Sequence, residues 1–143
     1  MKLPDINLFV YAANESAVRH AQARRWVEDA LSGTETVALA WSVLTGFVRV
    51  ITNPRVLARP WDAEQALDVV DGWLAQPPVT IVHPTDRHLA VLRDLLVPLG
   101  TAGNLTSDAH LAALAIEHGA TLYSADVDFS RFPGLRWVDP LRA

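Results

Sequence analysis

The chain has 143 residues, half of them hydrophobic, which is the size of one domain with a substantial core. It contains no cysteine, so disulfides and thiolate metal sites are excluded. The formal net charge of -4 argues against a protein that binds nucleic acid over its whole surface, although it allows a local basic patch. No apolar run approaches the roughly 20 residues of a membrane span, and the first residues fit a strand better than a signal peptide. We therefore expect a soluble, cytoplasmic protein.

Short apolar runs alternate with helical patterns in the first half of the chain. "KLPD" is typical of a first strand, and "INLFVYAAN" then has a helical pattern. An amphipathic helix is predicted from Val18 to Leu31, and Gly33 is placed to end it. The apolar run from Thr36 to Ala40 predicts a second strand. A helix follows in "WSVLTGFVRVITN" and is predicted to stop at Asn53, ahead of Pro54.

The next helix has a clear start signal. Asp62 is followed three residues later by Gln65, as in a capping box, and the pattern predicts that Leu67, Val70 and Leu74 are buried. A third strand is predicted from Val79 to His83.

The last part of the chain repeats the alternation. Thr85 is predicted to cap a helix whose leucines 89, 92, 96 and 99 form one stripe. Then come a helix near Ser107 to His118, a strand from Ala120 to Ser124, a turn of helix near Asp128 and a strand near Arg136 to Val138. Uniformly apolar strands separated by helices indicate an α/β fold with a mainly parallel sheet covered on both faces. Residues 1–143 are interpreted as a single domain.

Acidic residues follow two of the predicted strands. Asp5 comes at the carboxyl end of the first strand, and Asp126 and Asp128 come after the fourth. Ligand sites of parallel sheets lie beyond this edge. Asp108 heads a helical row of small residues, Ala112, Ala115 and Gly119, so its side chain is expected to point toward the sheet.

Each acid also has a purely structural explanation. Asp108 and Asp5 can stabilise helix starts, as can Asn7, and Asp126 and Asp128 can form an Asx turn. Together, however, four carboxylates at one sheet edge would repel one another unless a cation lay among them. Oxygen ligands favour Mg²⁺, for which Mn²⁺ can substitute, and such an ion beside a phosphodiester supports hydrolysis of a nucleic acid. Zinc fits poorly, because the five histidines lack HExxH spacing and are interpreted as isolated residues.

With these residues identified, the chain resembles the PIN-domain family, and within it the VapC-like ribonuclease toxins of toxin–antitoxin pairs. The resemblance covers nearly the whole chain. It rests on the order and spacing of "PDINLFVYAAN", "TNPRV", "SDAHLAALAIEHGATLYSADVDF" and "FSRFPGLRWVDP". It implies a three-layer α/β/α PIN-like fold, Mg²⁺-dependent endoribonuclease activity on RNA, a homodimer, and inhibition by a small cognate antitoxin. Asp5, Asp108 and Asp126 match the family's metal-binding acids, and Asp128 is a weaker match that would assist by orienting groups around the metal.

One departure from the family leaves an alternative open. The glutamate that the family usually has in the helix after the second strand aligns with Phe47, and no Asp or Glu occurs between Glu35 and Asp62. Subfamily variation is one interpretation. The other is a catalytically weakened PIN domain that binds RNA or antitoxin without cutting. A phospho-acceptor receiver domain is disfavoured, because it needs a lysine after a late strand and this chain has none after Lys2.

The segment between Glu35 and Asp62, which has no acidic residue, contains three arginines. Arg49, Arg55 and Arg59 are candidates for contacts with RNA phosphates at the rim of the site, or else are solvated arginines on a helix and loop. Trp41 and Trp61 are candidates for base stacking, although core or dimer contacts explain them equally simply.

Overall fold

The computed structural model describes residues 1–142. Within that range the chain forms five strands and six α-helices in alternating order. The strands are β1 (Lys2–Pro4), β2 (Val37–Leu39), β3 (Val79–Ile81), β4 (Thr121–Tyr123) and β5 (Trp137–Val138). The helices are α1 (Ile6–Ala13), α2 (His20–Ser32), α3 (Trp41–Ile51), α4 (Ala63–Leu74), α5 (His88–Leu96) and α6 (Thr106–Glu117). Short 3₁₀ turns lie at Val97–Leu99, Gly103–Leu105 and Val127–Arg131.

The described strands form one parallel sheet in the order β3-β2-β1-β4-β5. β1 is central, and its last residue, Pro4, pairs in register with Tyr123 at the end of β4. The predicted α/β fold is confirmed, and the sheet is parallel throughout these strands. The register places the residues that follow β1 and β4 side by side at the carboxyl edge.

The helices pack in two groups. α1 contacts α2 and α3, and α3 contacts α4, whereas α5 packs on α6. Right-handed crossovers put these two groups on opposite faces of the sheet, which gives the three-layer α/β/α arrangement. Leu3, Leu39 and Leu122 are fully buried between the layers, because both sheet faces are covered.

Local signals predicted several elements correctly. Asp62 accepts a hydrogen bond from the Gln65 amide at 2.8 Å, and the Gln65 side chain accepts one from the Asp62 amide at 3.1 Å, so the capping box at α4 is confirmed. Gly33 follows α2 as predicted, although its φ of -82° needs no glycine. Ala112 and Ala115 of α6 are fully buried, as the small-residue face required.

Two local predictions were wrong. Leu67 is 56% exposed, because helical periodicity defines an apolar stripe but not how much of it the neighbouring helices cover. Thr85 is not the N-cap of α5, which begins at His88 after Arg87; its hydroxyl accepts from the Arg87 amide at 3.2 Å and donates to Glu117 of α6. The predicted stop of α3 at Asn53 is confirmed: the helix ends at Ile51 with Thr52 as its C-cap, and the Asn53 side chain, just beyond it, accepts from the Arg55 amide.

No helix among residues 1–142 is long and apolar enough to span a bilayer.

Candidate active site

Asp5 is the single residue between β1 and α1. Its Oδ1 accepts a hydrogen bond from the Ile6 amide at 2.7 Å, and its Oδ2 accepts one from the Ser124 hydroxyl at 2.8 Å. The residue is only 7% exposed. Burial raises the pKa of Asp5, the two hydrogen bonds oppose this rise, and the charge of Asp126 adds to it. The predicted helix-capping role is therefore real, but it accounts for only one of the two carboxylate oxygens.

Ser124 connects three of the groups at this edge. Its fully buried hydroxyl donates to Asp5 and accepts from the Asn7 side-chain amide at 3.1 Å and from the Asp126 backbone amide at 3.0 Å. One hydroxyl proton and two lone pairs are thus all used. Ser124 is not among the site residues predicted from the sequence. The available signal was its position directly after β4, between the strand and Asp126.

Three carboxylates converge in front of this network. One oxygen from each of Asp108, Asp126 and Asp128 lies within 4.8 Å of the others. Asp108 is in the first turn of α6, and Asp126 accepts from the Asp128 amide at 2.9 Å, which is the predicted Asx turn. The structure therefore brings Asp128 into the group with Asp108 and Asp126, while Asp5 is held in the Ser124 network, near enough for its charge to raise the pKa of Asp108.

The electrostatics of Asp108 reflect this crowding. Desolvation, followed by the charges of Asp126, Asp5 and Asp128, raises the pKa of Asp108 to about 6. Arg131 offers little compensation, because its Nε is 3.8 Å from Asp128 and both side chains are substantially exposed. The three side chains are carboxylic acids whose simultaneous ionisation is costly, because their charges repel one another. A hard divalent cation such as Mg²⁺ or Mn²⁺, which prefers oxygen ligands, would offset this repulsion.

The three candidate arginines are exposed and lie near different parts of α1 and α3. A Cβ at Gly46 would lie 2.7 Å from Ile6 Cδ1 and 3.9 Å from Arg49 Nη2, so the Arg49 guanidinium lies beside the first residue of α1. Arg59 lines a pocket with Asn14 and Glu15, past the other end of α1, about 12 Å along that helix. Arg55 is in the same loop that follows α3.

The aromatic residues of this segment divide between core and surface. Phe47 is fully buried, with its ring centroid 6.1 Å from Trp61 and 4.7 Å from Trp73. Trp41 is 49% exposed and lines an apolar groove between α3 and α4 together with Leu67. Phe47 therefore belongs to an aromatic core, and Trp61 is explained by packing.

Two of the histidines, predicted to be isolated, form a cluster between α5 and α6. His88 Nδ1 lies 2.5 Å from Glu117 Oε2, and His88 Nε2 lies 2.9 Å from His110 Nδ1. Hydrogen bonds from Thr85 and His88 outweigh the effect of burial and lower the pKa of Glu117. Burial and the neighbouring His88 lower the pKa of His110. Because His88 and His110 are 22 positions apart on different helices, no local spacing signalled the pair.

The chain matches a known protein family. The PIN domain family model matches residues 2–135. The chain belongs to the PIN-domain family. It is 45% identical over 140 residues to Ribonuclease VapC37 of Mycobacterium tuberculosis, covering 98% of this chain and 97% of the relative. It is 43% identical over 142 residues to Ribonuclease VapC33 of the same species, covering 99% of both. This PIN domain is thus VapC-like over nearly its whole length, as the sequence resemblance predicted.

Solved structures agree on the fold. VapBC2 from Rickettsia felis, bound to a DNA fragment from its promoter, matches with a TM-score of 0.70 at 22% identity, covering 96% of both chains. The M. tuberculosis VapC20 toxin, described as cleaving the sarcin-ricin loop, matches with a TM-score of 0.64 at 19% identity, covering 95% of this chain and 99% of that one.

Proposed function

We propose that this PIN domain is a Mg²⁺-dependent endoribonuclease that acts as the toxin of a toxin–antitoxin pair, with Mn²⁺ able to substitute. The observation that carries the proposal is the convergence of Asp108, Asp126 and Asp128 within 4.8 Å of one another at the carboxyl edge of a parallel sheet. Relatives at 36–45% identity named as VapC ribonucleases support the same reaction class.

The acids have distinct roles in the proposal. Asp108, Asp126 and Asp128 would hold the ion, with Asp5 facing it from the Ser124 network. When bound, the ion supplies Lewis-acid polarisation of the scissile phosphate and a water acidic enough to attack it at neutral pH. Without the ion, burial and the neighbouring carboxylates raise the pKa of Asp108 to about 6, so a bound cation would favour its ionised, metal-binding form.

The RNA strand would approach across the α1–α3 flank of the site. Arg49, whose guanidinium lies near Gly46 and Ile6, would contact a phosphate on the α1–α3 side. Arg55 and Arg59 would contact the backbone farther along, beyond the end of α1. These contacts fix the position of the strand and carry no base specificity.

Protein partners also form part of the proposal. A small cognate antitoxin and a second copy of the chain are expected, because the curated relatives are VapC proteins. The open apolar groove with Trp41 and Leu67, 49% and 56% exposed, supports a surface that is covered in an assembly.

The alternative is a PIN domain that binds RNA or antitoxin without cutting. It is favoured by Phe47, because the position aligned with the family glutamate is fully buried and the chain has no acid from residue 36 to residue 61.

One assay separates the two functions. Purified protein with Mg²⁺ or Mn²⁺ is expected to cleave mixed RNA. EDTA should abolish the cleavage, and the Asp5→Asn and Asp108→Asn variants should not cleave. Asp68→Asn, an exposed acid on α4, is the matched control and should retain activity. Intact RNA with the wild-type protein, together with retained RNA binding, would support the alternative. Cleavage by both site variants would refute the assignment of the acids.

A further inference from the structure

The cluster formed by Thr85, His88, His110 and Glu117 lies outside the acidic site and has no role in the proposed nuclease chemistry. Its centre is the Glu117 side chain, which is 0% exposed. Oε1 of Glu117 accepts from the Thr85 amide at 2.9 Å and from the Thr85 hydroxyl at 2.5 Å. Oε2 lies 2.5 Å from His88 Nδ1. Both carboxylate oxygens of Glu117 therefore have hydrogen-bond partners, Thr85 before α5 and His88 at its start.

This arrangement determines which ring nitrogen of His88 carries a proton. An ionised carboxylate can only accept hydrogen bonds, so His88 must donate from Nδ1. In the neutral ring, Nε2 is then left with a lone pair. A carboxylate that accepts from one nitrogen of a histidine and leaves the other as an oriented lone pair is the usual outer partner of a metal-binding imidazole.

The lone pair of His88 faces a second imidazole. His110 Nδ1 lies 2.9 Å from His88 Nε2, and the rings are steeply inclined, with 76° between their planes. Two nitrogens bound tetrahedrally to zinc at about 2.0 to 2.1 Å are about 3.4 Å apart. A separation of 2.9 Å would have to open by about half an ångström, and both rings would have to turn so that their lone pairs point at the ion and not at each other.

Neither histidine of the pair is fully buried. The His88 side chain is 15% exposed and His110 is partly exposed, and an ion held by the two imidazoles would take water in its remaining coordination positions. Imidazole nitrogen favours zinc, nickel and copper over magnesium. The pair therefore differs in ion class from the three-carboxylate group.

We propose that His88 Nε2 and His110 Nδ1 form a second metal site, selective for a divalent transition ion of the zinc class, with Glu117 and Thr85 orienting His88 from behind. The bound ion ties the start of α5 to α6. It stabilises the folded chain in proportion to its concentration and affinity. The competing state is a direct N–H···N hydrogen bond between the rings with no ion.

The experiment uses the full chain, labelled with ¹⁵N, and zinc chloride as the probe. Magnesium is kept in large excess to occupy the carboxylates. Long-range ¹H–¹⁵N spectra of the imidazoles report each ring nitrogen separately. Added zinc is expected to shift His88 Nε2 and His110 Nδ1 together at one equivalent, and to leave His20 unchanged. Unshifted His88 and His110 signals would overturn the proposal without any variant being needed.

Matched variants give an independent readout by calorimetry under the same conditions. His110→Ala is expected to weaken zinc binding about tenfold or more, and Glu117→Gln about tenfold to a hundredfold, as the loss of an outer partner does. His20→Ala, which removes a histidine whose Nδ1 donates to the Tyr11 carbonyl, should bind zinc like the wild type. Asp126→Asn should also keep this site, which separates it from the nuclease proposal. Equal zinc affinity in His110→Ala and the wild type would overturn it.

Discussion

The Ser124 hydroxyl donates to Asp5 Oδ2 at 2.8 Å, joining residues 119 positions apart at the meeting of β1 and β4. The same oxygen accepts from the Asn7 side chain and the Asp126 amide. Three features of the site thus depend on one buried atom. These are the orientation of Asp5, the start of α1 and the turn that presents Asp126 and Asp128.

Ser124→Ala tests this dependence. The change leaves one oxygen of Asp5 and two donors without their partner, so we expect a loss of about 1 to 3 kcal/mol in the free energy of unfolding, measured by urea denaturation. RNA cleavage should fall more than stability alone explains, because Asp126 is no longer fixed. Ser42→Ala, which removes an exposed hydroxyl on α3, is the control. A Ser124→Ala protein as stable and active as the control would contradict the role of the network.

Asp108 predicts a pH dependence of stability in the metal-free protein. Its folded-state pKa is raised from 3.8 to about 6, so the folded state prefers the protonated acid. The stabilising contribution is complete below about pH 3.8 and is lost as pH rises through about 6. Asp108→Asn should therefore stabilise the protein by about 1 kcal/mol at pH 8, a figure reduced for solvent screening, and by little at pH 4.

Urea denaturation in EDTA at pH 4, 6 and 8 measures this difference. Asp68→Asn on the exposed face of α4 serves as the control and should show no such trend. A stabilisation by Asp108→Asn that grows toward acidic pH would have the wrong sign for a repelled carboxylate.

Phe47→Glu tests whether an acid at the position aligned with the family glutamate can reach the acidic site. Restoring the family's acid at this position would bury a carboxylate against Trp61 and Trp73, so we expect a loss of about 3 kcal/mol or more in stability and no gain in cleavage. Phe47→Leu keeps an apolar side chain and should cost less. Thermal melting and the RNA assay check both variants. A stable Phe47→Glu protein with faster cleavage would show that the side chain can reach the site.

The arginines should differ in their contribution to RNA binding. In a non-cleaving Asp108→Asn background, Arg49→Ala is expected to weaken binding of single-stranded RNA by about 1 kcal/mol and to reduce the slope of log affinity against log salt by about 0.7. Arg59→Ala, beyond the other end of α1, should have a smaller effect. Fluorescence anisotropy over a salt series measures both. A larger loss for Arg59→Ala would show that the main RNA contact lies beyond the C-terminal end of α1 and not beside Ile6.

The sequence predicts the acidic edge well because parallel strands leave little freedom there. Asp5 and Asp126 had to meet once β1 and β4 were adjacent, and the small-residue face of α6 oriented Asp108. Ser124 was not predicted, because a serine after a strand is common and its three partners come from separate segments. The pair of His88 and His110 depends on how α5 lies against α6, which no local pattern encodes. Leu67 was predicted to be buried but is exposed, because helical periodicity does not report how closely the neighbouring helix covers a residue.

The central claim is that Asp108, Asp126 and Asp128 bind one hard divalent ion together. Electron paramagnetic resonance of Mn²⁺, titrated with the wild type and with Asp126→Asn, tests it directly. We predict that the wild type binds Mn²⁺ in competition with Mg²⁺ and that Asp126→Asn weakens this binding about tenfold or more. Equal Mn²⁺ affinity in the two proteins would contradict the claim.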